Sequence, residues 1–263
     1  MKILVTVKEV ATVDDEFEIV GTEIDDRYLG EDLNEWDDYA IEEAVQLSES
    51  HDDVEVVTAT IGPEECEQTI RQALAKGADR AIRVWDDALA DVQLLDVGAK
   101  AAILRAIVDA EEPDLVLTGV QADDDQFGAT GVALANTTGY HWAAVVNDLD
   151  LDWDEGLARV HRELEGGVEE LTEVQLPAVL TIQTGINEPR YASLRGIRQA
   201  QRKPLEAMTL ADLEIDPETV ESRIRLTEMY EPEAETETTV YEGSAEETAA
   251  QLAELLREKG VGA

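Results

Sequence analysis

Residues 119–131, GVQADDDQFGATG, hold the side chains and glycines whose types and spacing best suit ligand chemistry. This segment follows a predicted strand and enters a predicted helix, which is where open α/β sheets bind ligands. The N–H groups of a helix N-terminus suit phosphate, and Thr130 adds a hydroxyl. Asp123, Asp124 and Asp125 would repel phosphate unless they cap the helix, point elsewhere or bind a cation. A nucleotide site and an acidic turn before a capped helix both remain open, because the glycine spacing is neither that of a Walker A loop nor that of GxGxxG.

A second candidate is the basic island, defined as residues 187–203, NEPRYASLRGIRQAQRK, in a chain of net charge −41. It holds five of the chain's 20 Lys and Arg residues, and no acid occurs between Glu188 and Glu206. Three apolar residues spaced by three give it a small docking face: Tyr191, Leu194 and Ile197. Docking of a partner and pairing of the arginines with the protein's own acidic surface are equally compatible with this pattern.

Few other side chains suggest catalysis. The three histidines His51, His141 and His161 are scattered, with no HExxH spacing and no Ser/His/Asp set. Cys66 lies on the apolar face of a predicted helix, as expected of a buried structural thiol. Trp36 suits either the core or contact with a planar cofactor. We therefore expect no catalytic residue and no metal site.

The chain is strongly acidic, with 61 Asp and Glu against 20 Lys and Arg, spread along its whole length. A halophilic protein would show this composition, because at 1 M salt the Debye length of about 3 Å screens carboxylate repulsion; a generic acidic protein is the alternative. The charge argues against nucleic acid and anionic lipid as partners. No apolar run approaches the length of a membrane span. One cysteine and no signal-like segment favour a cytoplasmic protein.

Strands alternate with amphipathic helices over the first half of the chain. Strands are predicted at residues 2–8, 54–61, 81–85 and 115–120. Helices are predicted at residues 35–49, with Asn34 as N-cap, from Gly62-Pro63 to Gly77, at about 91–111, and at 130–139. This alternation is typical of βαβ units, so we expect an α/β protein with a doubly wound, Rossmann-like parallel sheet.

The pattern changes after residue 142. Antiparallel strands are predicted at 142–150, 157–164 and 168–174, a buried strand at 177–182, and a possible short hairpin within 14–33. An acidic linker at 231–237 precedes a helix that Ser244 and Glu247 begin with capping-box spacing. We expect a nucleotide-binding domain at 1–203 and a C-terminal arm and helix at 204–263. That last helix could grip a partner subunit or pack on its own domain.

The sequence resembles the β subunit of electron-transfer flavoproteins over nearly its whole length, in order. The motifs that carry the resemblance are LPAV at 176–179, NEPRYASL at 187–194, NEWDDYAIEEA at 34–44, GPEECEQTIRQALAKGADRA at 62–81, RELEGG at 162–167 and the loop at 119–131. The resemblance implies a heterodimer in which an α subunit holds most of a redox-active FAD. It further implies a carrier that takes electrons from acyl-CoA or other flavin dehydrogenases of fatty acid β-oxidation to a quinone-reducing acceptor of the respiratory chain.

The resemblance also implies which residues form the sites. The β subunit buries AMP in common members and a second FAD in electron-bifurcating members. Its nucleotide site would use Thr6, Asn34, Trp36, Asp37, Ile61, Gly119, Gln121, Ala122, Asp124, Asp125, Gly128 and Thr130. The basic island matches the loop that docks dehydrogenases, with Leu194 as its anchor. Its docking residues would be Pro189, Arg190, Tyr191, Leu194, Ile197 and Arg198. The C-terminal arm and helix would contact the α subunit.

Three departures from the family pattern leave the nucleotide ligand open. The chain has Asn34-Glu35-Trp36 where Asn-Pro-aromatic is usual, Asp123 where an apolar residue is usual, and Ala129 where Gln is usual. The spacing from Gly167 to Pro177 is one residue longer than expected. AMP, a second FAD and an empty site are therefore all retained. So are two alternative functions, a bifurcating flavoprotein subunit and a nucleotide-binding stress-type regulatory protein.

Overall fold

The structure, a computed structural model, describes residues 1–90, 92–232 and 239–260. The chain divides into two compact units, Met1–Met229 and Tyr230–Ala263. The described strands of the first unit, in chain order, are β1 (Lys2–Thr6), β2 (Glu9–Val13), β3 (Ile19–Val20), β4 (Glu23–Ile24), β5 (Leu29–Leu33), β6 (Glu55–Ile61), β7 (Arg80–Val84), β8 (Leu115–Gly119), β9 (His141–Asp152), β10 (Leu157–Leu164), β11 (Val168–Gln175), β12 (Ala178–Ile182) and β13 (Leu205–Met208). Its described helices are α1 (Glu35–Ser50), α2 (Glu67–Lys76), α3 (Asp87–Ala90), α4 (Val97–Glu111), α5 (Thr130–Thr138) and α6 (Leu194–Ala200). The second unit contains α7 (Ala245–Glu258).

Nine strands form one sheet in the order β11-β10-β9-β12-β8-β1-β6-β7-β13. The pairs from β9–β12 through to β7–β13 are parallel, and β9, β10 and β11 form an antiparallel meander at one edge. Strand β12 therefore lies between β8 and the meander that precedes it in the chain. The predicted doubly wound α/β class, with a small antiparallel extension, is confirmed.

Helices cover both faces of the sheet, so its central strands are continuously apolar rather than alternating. On one face, Ile41 of α1 and Ile70 of α2 are fully buried against Val5 and Leu117. On the other face, Ile103 of α4 and Leu134 of α5 pack in a second core cluster. The helices on these two faces hold the loops that leave the carboxyl ends of the strands.

One helix begins later than its sequence pattern predicts. The predicted helix from about residue 91 starts at Val97, because Asp96 ends the preceding segment and caps α4 by accepting a hydrogen bond from Ala99 N at 2.8 Å. Leu94 thus precedes α4 instead of lying on its apolar face. Its place before the helix puts it in the wall of the cavity described below.

Two strand pairings are absent from the sequence prediction. Strand β13 extends the sheet by pairing with β7, and Leu210 and Val220 beyond it are buried, so the first unit continues past residue 203. Strands β2 and β5 pair around the predicted hairpin, which is formed by β3 and β4. Most of the predicted acidic linker at 231–237 lies outside the described residues.

The second unit contains the predicted capping box. Ser244 Oγ accepts a hydrogen bond from Glu247 N, and Glu247 Oε2 accepts one from Ser244 N at 2.8 Å. Leu252, Leu255 and Leu256 follow at spacings that place them on one side of α7. None of the helices in the described part of the chain is long and apolar enough to cross a membrane.

Candidate functional site

A cavity of about 360 Å³ opens where the strand order reverses. Strand β1 has β6 on one side and β8 on the other, so the chain winds away from it in both directions. Ligands of open α/β sheets bind at this switch point, outside the carboxyl ends of the strands. Lys8 just beyond β1 and Gly119 at the end of β8 both line the cavity.

Asp37 of α1 accepts hydrogen bonds from backbone groups at the ends of both strands. Its Oδ2 accepts a hydrogen bond from Lys8 N at 2.8 Å, and its Oδ1 accepts one from Gly119 N at 3.0 Å. A Cβ at position 119 would lie 2.6 Å from Asp37 Oδ1 and from Trp36 Cβ, so this approach of α1 to β8 requires glycine. Asp37 is 4% exposed, and burial raises its pKa to about 7 although both N–H groups favour the charged form. The carboxyl therefore carries a proton at mildly acidic pH.

Asn34, at the N-cap position of α1, contacts the loop at 119–131 instead of the helix. Its Nδ2 donates to Gln121 O at 2.9 Å, and its Oδ1 accepts from Asp123 N at 3.3 Å. No side-chain cap bond is present at this helix start. The residue predicted as N-cap therefore hydrogen-bonds to the loop at 119–131, which forms part of the cavity wall.

Two aspartates of the loop at 119–131 face lysines. Lys8 Nζ pairs with Asp124 and, at 2.9 Å, with Asp125, while Lys100 Nζ pairs with Asp125. Burial alone would raise the pKa of Asp125, but hydrogen bonds from Lys100 and Lys8 lower it below its ordinary value. Lys100 Nζ also lies 5.1 Å from the centre of the Phe127 ring. The repulsion that consecutive aspartates would exert on a phosphate is therefore largely offset.

The start of α5 supplies hydrogen-bond donors to the same cavity. Gly128, Ala129 and Thr130 line it, and among the described residues no acceptor is bonded to their backbone N–H groups. A Cβ at Gly131 would lie 2.4 Å from Thr118 Oγ1, so glycine lets α5 approach β8. Apolar side chains also line the cavity: Ile61, Trp85, Leu89, Leu95 and Leu104. Backbone donors and apolar side chains in one cavity suit a phosphate joined to a planar base.

The structure brings together eleven of the twelve predicted nucleotide-site residues around this cavity. They are Thr6, Asn34, Asp37, Ile61, Gly119, Gln121, Ala122, Asp124, Asp125, Gly128 and Thr130. Trp36 is the exception: it is half-buried, and its Nε1 donates to Gln183 Oε1 at 3.1 Å. Sequence reasoning missed Lys8 and Lys100. Lys8 was discoverable, because it lies two residues beyond the end of the central strand β1.

The basic island begins with side chains that bind inward to α1. Arg190 donates from Nε and Nη2 to Glu42 and from Nη1 and Nη2 to Glu49, at 2.6–3.0 Å. Asn187 Nδ2 donates to Glu43 Oε2 at 3.0 Å. Burial would raise the pKa of Glu42, but hydrogen bonds from Arg190 lower it, whereas burial raises the pKa of Glu43. The start of the island is thus fixed by three carboxylates of one helix.

The far end of the island is fixed to α2. Lys203 Nζ donates to the carbonyls of Leu74, Gly77 and Ala78, the last at 2.5 Å. Arg71 returns hydrogen bonds to Ala200 O and Lys203 O at 2.8 and 2.9 Å. Between these two anchors the island holds α6 against α2.

The middle of the island faces solvent. Tyr191 is 97% exposed, Leu194 80% and Ile197 46%, and Arg198 is exposed beside them. Pro189 is half-buried. Of the six predicted docking residues, four are therefore available to a partner, and Arg190 instead holds the island in place.

The fold and the cavity define the chain as an α/β protein with a ligand-sized cavity at the switch point of its sheet. Residues 22–213 match the electron transfer flavoprotein domain. The chain is 45% identical to the electron transfer flavoprotein subunit beta of Methylophilus methylotrophus, over 98% of each chain. It is 37% identical to the mitochondrial subunit beta of Arabidopsis thaliana, over 88% of this chain and 90% of the relative. The subunit beta of Bacillus subtilis is 35% identical over 86% and 85% of the two chains.

The chain belongs to the electron transfer flavoprotein family, as a β subunit. The electron-transport function that the sequence predicts is confirmed.

Proposed function

We propose that the chain is a non-catalytic subunit that, with an α subunit, holds FAD and carries electrons from acyl-CoA or other flavin dehydrogenases to a quinone-reducing acceptor. The observation that carries the proposal is the anchored basic island. It holds an exposed leucine, Leu194, on a support fixed at both ends. Such a surface suits repeated docking of redox partners, because little order has to be gained at each encounter.

The cavity at the switch point is proposed to bind AMP. Its volume of about 360 Å³ is near the lower end of the range of roughly 300–1,000 Å³ for small-molecule sites, which favours a mononucleotide over a second FAD. Gly128, Ala129 and Thr130 would donate their N–H groups to the phosphate. Lys8 and Lys100 would offset the repulsion of that phosphate by Asp124 and Asp125. The apolar wall that includes Trp85 and Leu104 would cover the base.

The electron chemistry is that of FAD, which takes up and releases electrons when bound. This chain would contribute contacts that position the flavin and exclude water. Trp36, which is partly exposed next to Gln183, is the residue proposed to lie near it. The leucine side of α7, with Leu252 and Leu256, is proposed to bind the α subunit. A cytoplasmic location is part of the same proposal, since a single buried cysteine suits a reducing compartment.

Cofactor counting on the purified complex tests this proposal. The chain is produced together with its α subunit, the complex is denatured, and FAD and AMP are quantified by chromatography against protein concentration. One FAD and one AMP per heterodimer are expected. Two FAD would show a bifurcating subunit and contradict AMP binding. A colourless homo-oligomer with bound nucleotide and no α subunit would contradict the carrier function and support a regulatory protein.

A further inference from the structure

We propose that the exposed middle of the basic island docks onto an acidic rim of the partner protein. The guanidinium groups of Arg195, Arg198 and Arg202 would pair with carboxylates that surround the apolar hollow occupied by Leu194. The inference rests on the proposed docking of a flavin dehydrogenase and adds the surface chemistry that this partner must present.

These three arginines differ from six of the other ten arginines of the first unit. Those six lie within 4 Å of a carboxylate of this chain: Arg27, Arg80, Arg105, Arg159, Arg162 and Arg190. In the described part of the chain, no carboxylate oxygen lies within 4 Å of a side-chain nitrogen of Arg195, Arg198 or Arg202. All three residues are exposed. Among the described residues, the carboxylates of this acidic chain thus leave these three cations unpaired, as they also leave the exposed Arg223 and Arg225 beyond the island.

The arginines and the apolar residues form adjacent stripes. Positions 195, 198 and 202 follow one side of α6 and the turn after it, because residues three and four apart are neighbours on a helix surface. Leu194 and Ile197 lie one position earlier in each turn. Gly196 sets the orientation of α6, since a Cβ there would lie 2.3 Å from Ala75 O. An apolar anchor flanked by cations fits a hollow flanked by carboxylates.

The overall charge distinguishes between kinds of acidic partner. A nucleic acid or an anionic bilayer presents an extended negative surface, which would also meet the acidic remainder of this chain. A globular partner with a local acidic rim meets only the basic island. The exposed Tyr191 and Leu194 further require a pocket that excludes water, which a folded protein provides. A protein surface is therefore the partner that these observations favour.

Charge reversal tests the inference kinetically. The FAD-loaded heterodimer serves as acceptor for whichever purified acyl-CoA or related flavin dehydrogenase of the source organism reduces it fastest. The triple variant R195E/R198E/R202E should raise the KM for the heterodimer about tenfold or more with an unchanged limiting rate, because like charges then face each other. The triple variant R195K/R198K/R202K should stay within about twofold of wild type. The matched control R105E reverses an exposed arginine outside the island.

The outcomes separate the two proposals. If no dehydrogenase reduces the wild-type heterodimer, the proposed function fails. If wild type is reduced and charge reversal leaves the KM unchanged, or R105E raises it equally, the acidic rim is contradicted while docking stands. Binding of wild type to phosphatidylserine vesicles or to duplex DNA, with loss of binding in the charge-reversed variant, would also overturn the inference.

Cross-linking tests the partner's chemistry directly and does not depend on the folding of a charge-reversed variant. Carbodiimide joins a carboxylate to an amine as an amide and takes up the water that is lost, becoming a urea. In the variant Arg198→Lys, the new amine should cross-link to Asp or Glu of the bound dehydrogenase, as identified by mass spectrometry. The control Arg105→Lys should give no such product. Cross-links from position 198 only within this chain would contradict an acidic rim.

Discussion

Arg190 binds both carboxylate oxygens of Glu42, with Nε–Oε2 and Nη2–Oε1 distances of 2.8 and 3.0 Å. The Glu42 side chain is 5% exposed, so its charge depends on this partner. The two residues are 148 positions apart in the chain. An arginine at the start of the basic island therefore attaches the island to α1.

Removing this guanidinium should destabilise the protein. Arg190→Ala leaves Glu42 buried without its partner, and we expect the free energy of unfolding to fall by about 2 kcal/mol. Because the pKa of Glu42 is held below its ordinary value of 4.5, the contribution is present above that pH and is lost as the pH falls through the lowered folded-state pKa. Urea unfolding between pH 3 and 7 measures both effects. The exposed control Arg195→Ala should change stability by no more than about 0.5 kcal/mol.

Leu194 should matter for electron transfer and little for folding. Leu194→Ala is expected to lower kcat/KM with the dehydrogenase about tenfold, because an exposed leucine gains its burial only in the complex. Flavin content and heterodimer stability should stay normal. Stopped-flow reduction of the heterodimer measures the change, and Val20→Ala, an exposed apolar residue in strand β3, is the control. Unchanged transfer kinetics would refute the role of Leu194.

Gly196 should be required for α6 to pack against α2. Gly196→Ala places a methyl group 2.3 Å from Ala75 O, a backbone atom that cannot move independently. We expect a loss of about 1–3 kcal/mol in unfolding free energy, together with faster hydrogen exchange at the ends of the basic island. Gln199→Ala, an exposed change in the same helix, should lack both effects. Native stability in Gly196→Ala would show that α6 does not depend on this contact.

The charges that line the cavity predict opposite changes in AMP affinity for two variants. Asp125→Asn removes one of the two acids that pair with Lys8 and the acid that pairs with Lys100, so Lys100 becomes available to a phosphate while Lys8 keeps Asp124. We expect AMP affinity of the nucleotide-free heterodimer to rise about fivefold, equivalent to about 1 kcal/mol. Lys100→Met should lower it by a similar factor. Calorimetric titration measures both, and equal changes in the same direction would contradict a phosphate at this end of the cavity.

Asp37 should make the free energy of unfolding depend on pH. Its pKa rises from an ordinary 3.8 to about 7 on folding, so the folded state binds the proton more tightly across that window. The stabilisation by this group is complete below about pH 4 and is lost as the pH rises through 7. The unfolding free energy of wild type relative to Asp37→Asn should therefore fall by up to about 4 kcal/mol over this range. A difference independent of pH would show that Asp37 stays ionised.

Local sequence patterns predict most of the fold because the central strands and the helices carry their own periodicity and caps. Strand β13 has only four residues, too few to show a pattern, and the start of α4 depended on recognising Asp96 as a cap. In the cavity, residues that follow strand ends were predictable from the rule for open sheets. The pairing of Lys100 with Asp125 was not, because it depends on how α4 packs. The inward direction of Arg190 likewise depends on the distant Glu42.

The position of β12 in the sheet determines when the sheet can be completed during synthesis. The strands that flank it, β8 and β9, both leave the ribosome earlier, and β12 pairs with each of them. Until residues 178–182 emerge, β8 is an apolar edge whose backbone N–H and C=O groups on one side have no native partner. Such an edge can be captured by a chaperone or pair wrongly with another chain. A chain truncated between β11 and β12 should therefore aggregate, whereas one truncated after Met229, the end of the first unit, should yield the complete nine-stranded sheet.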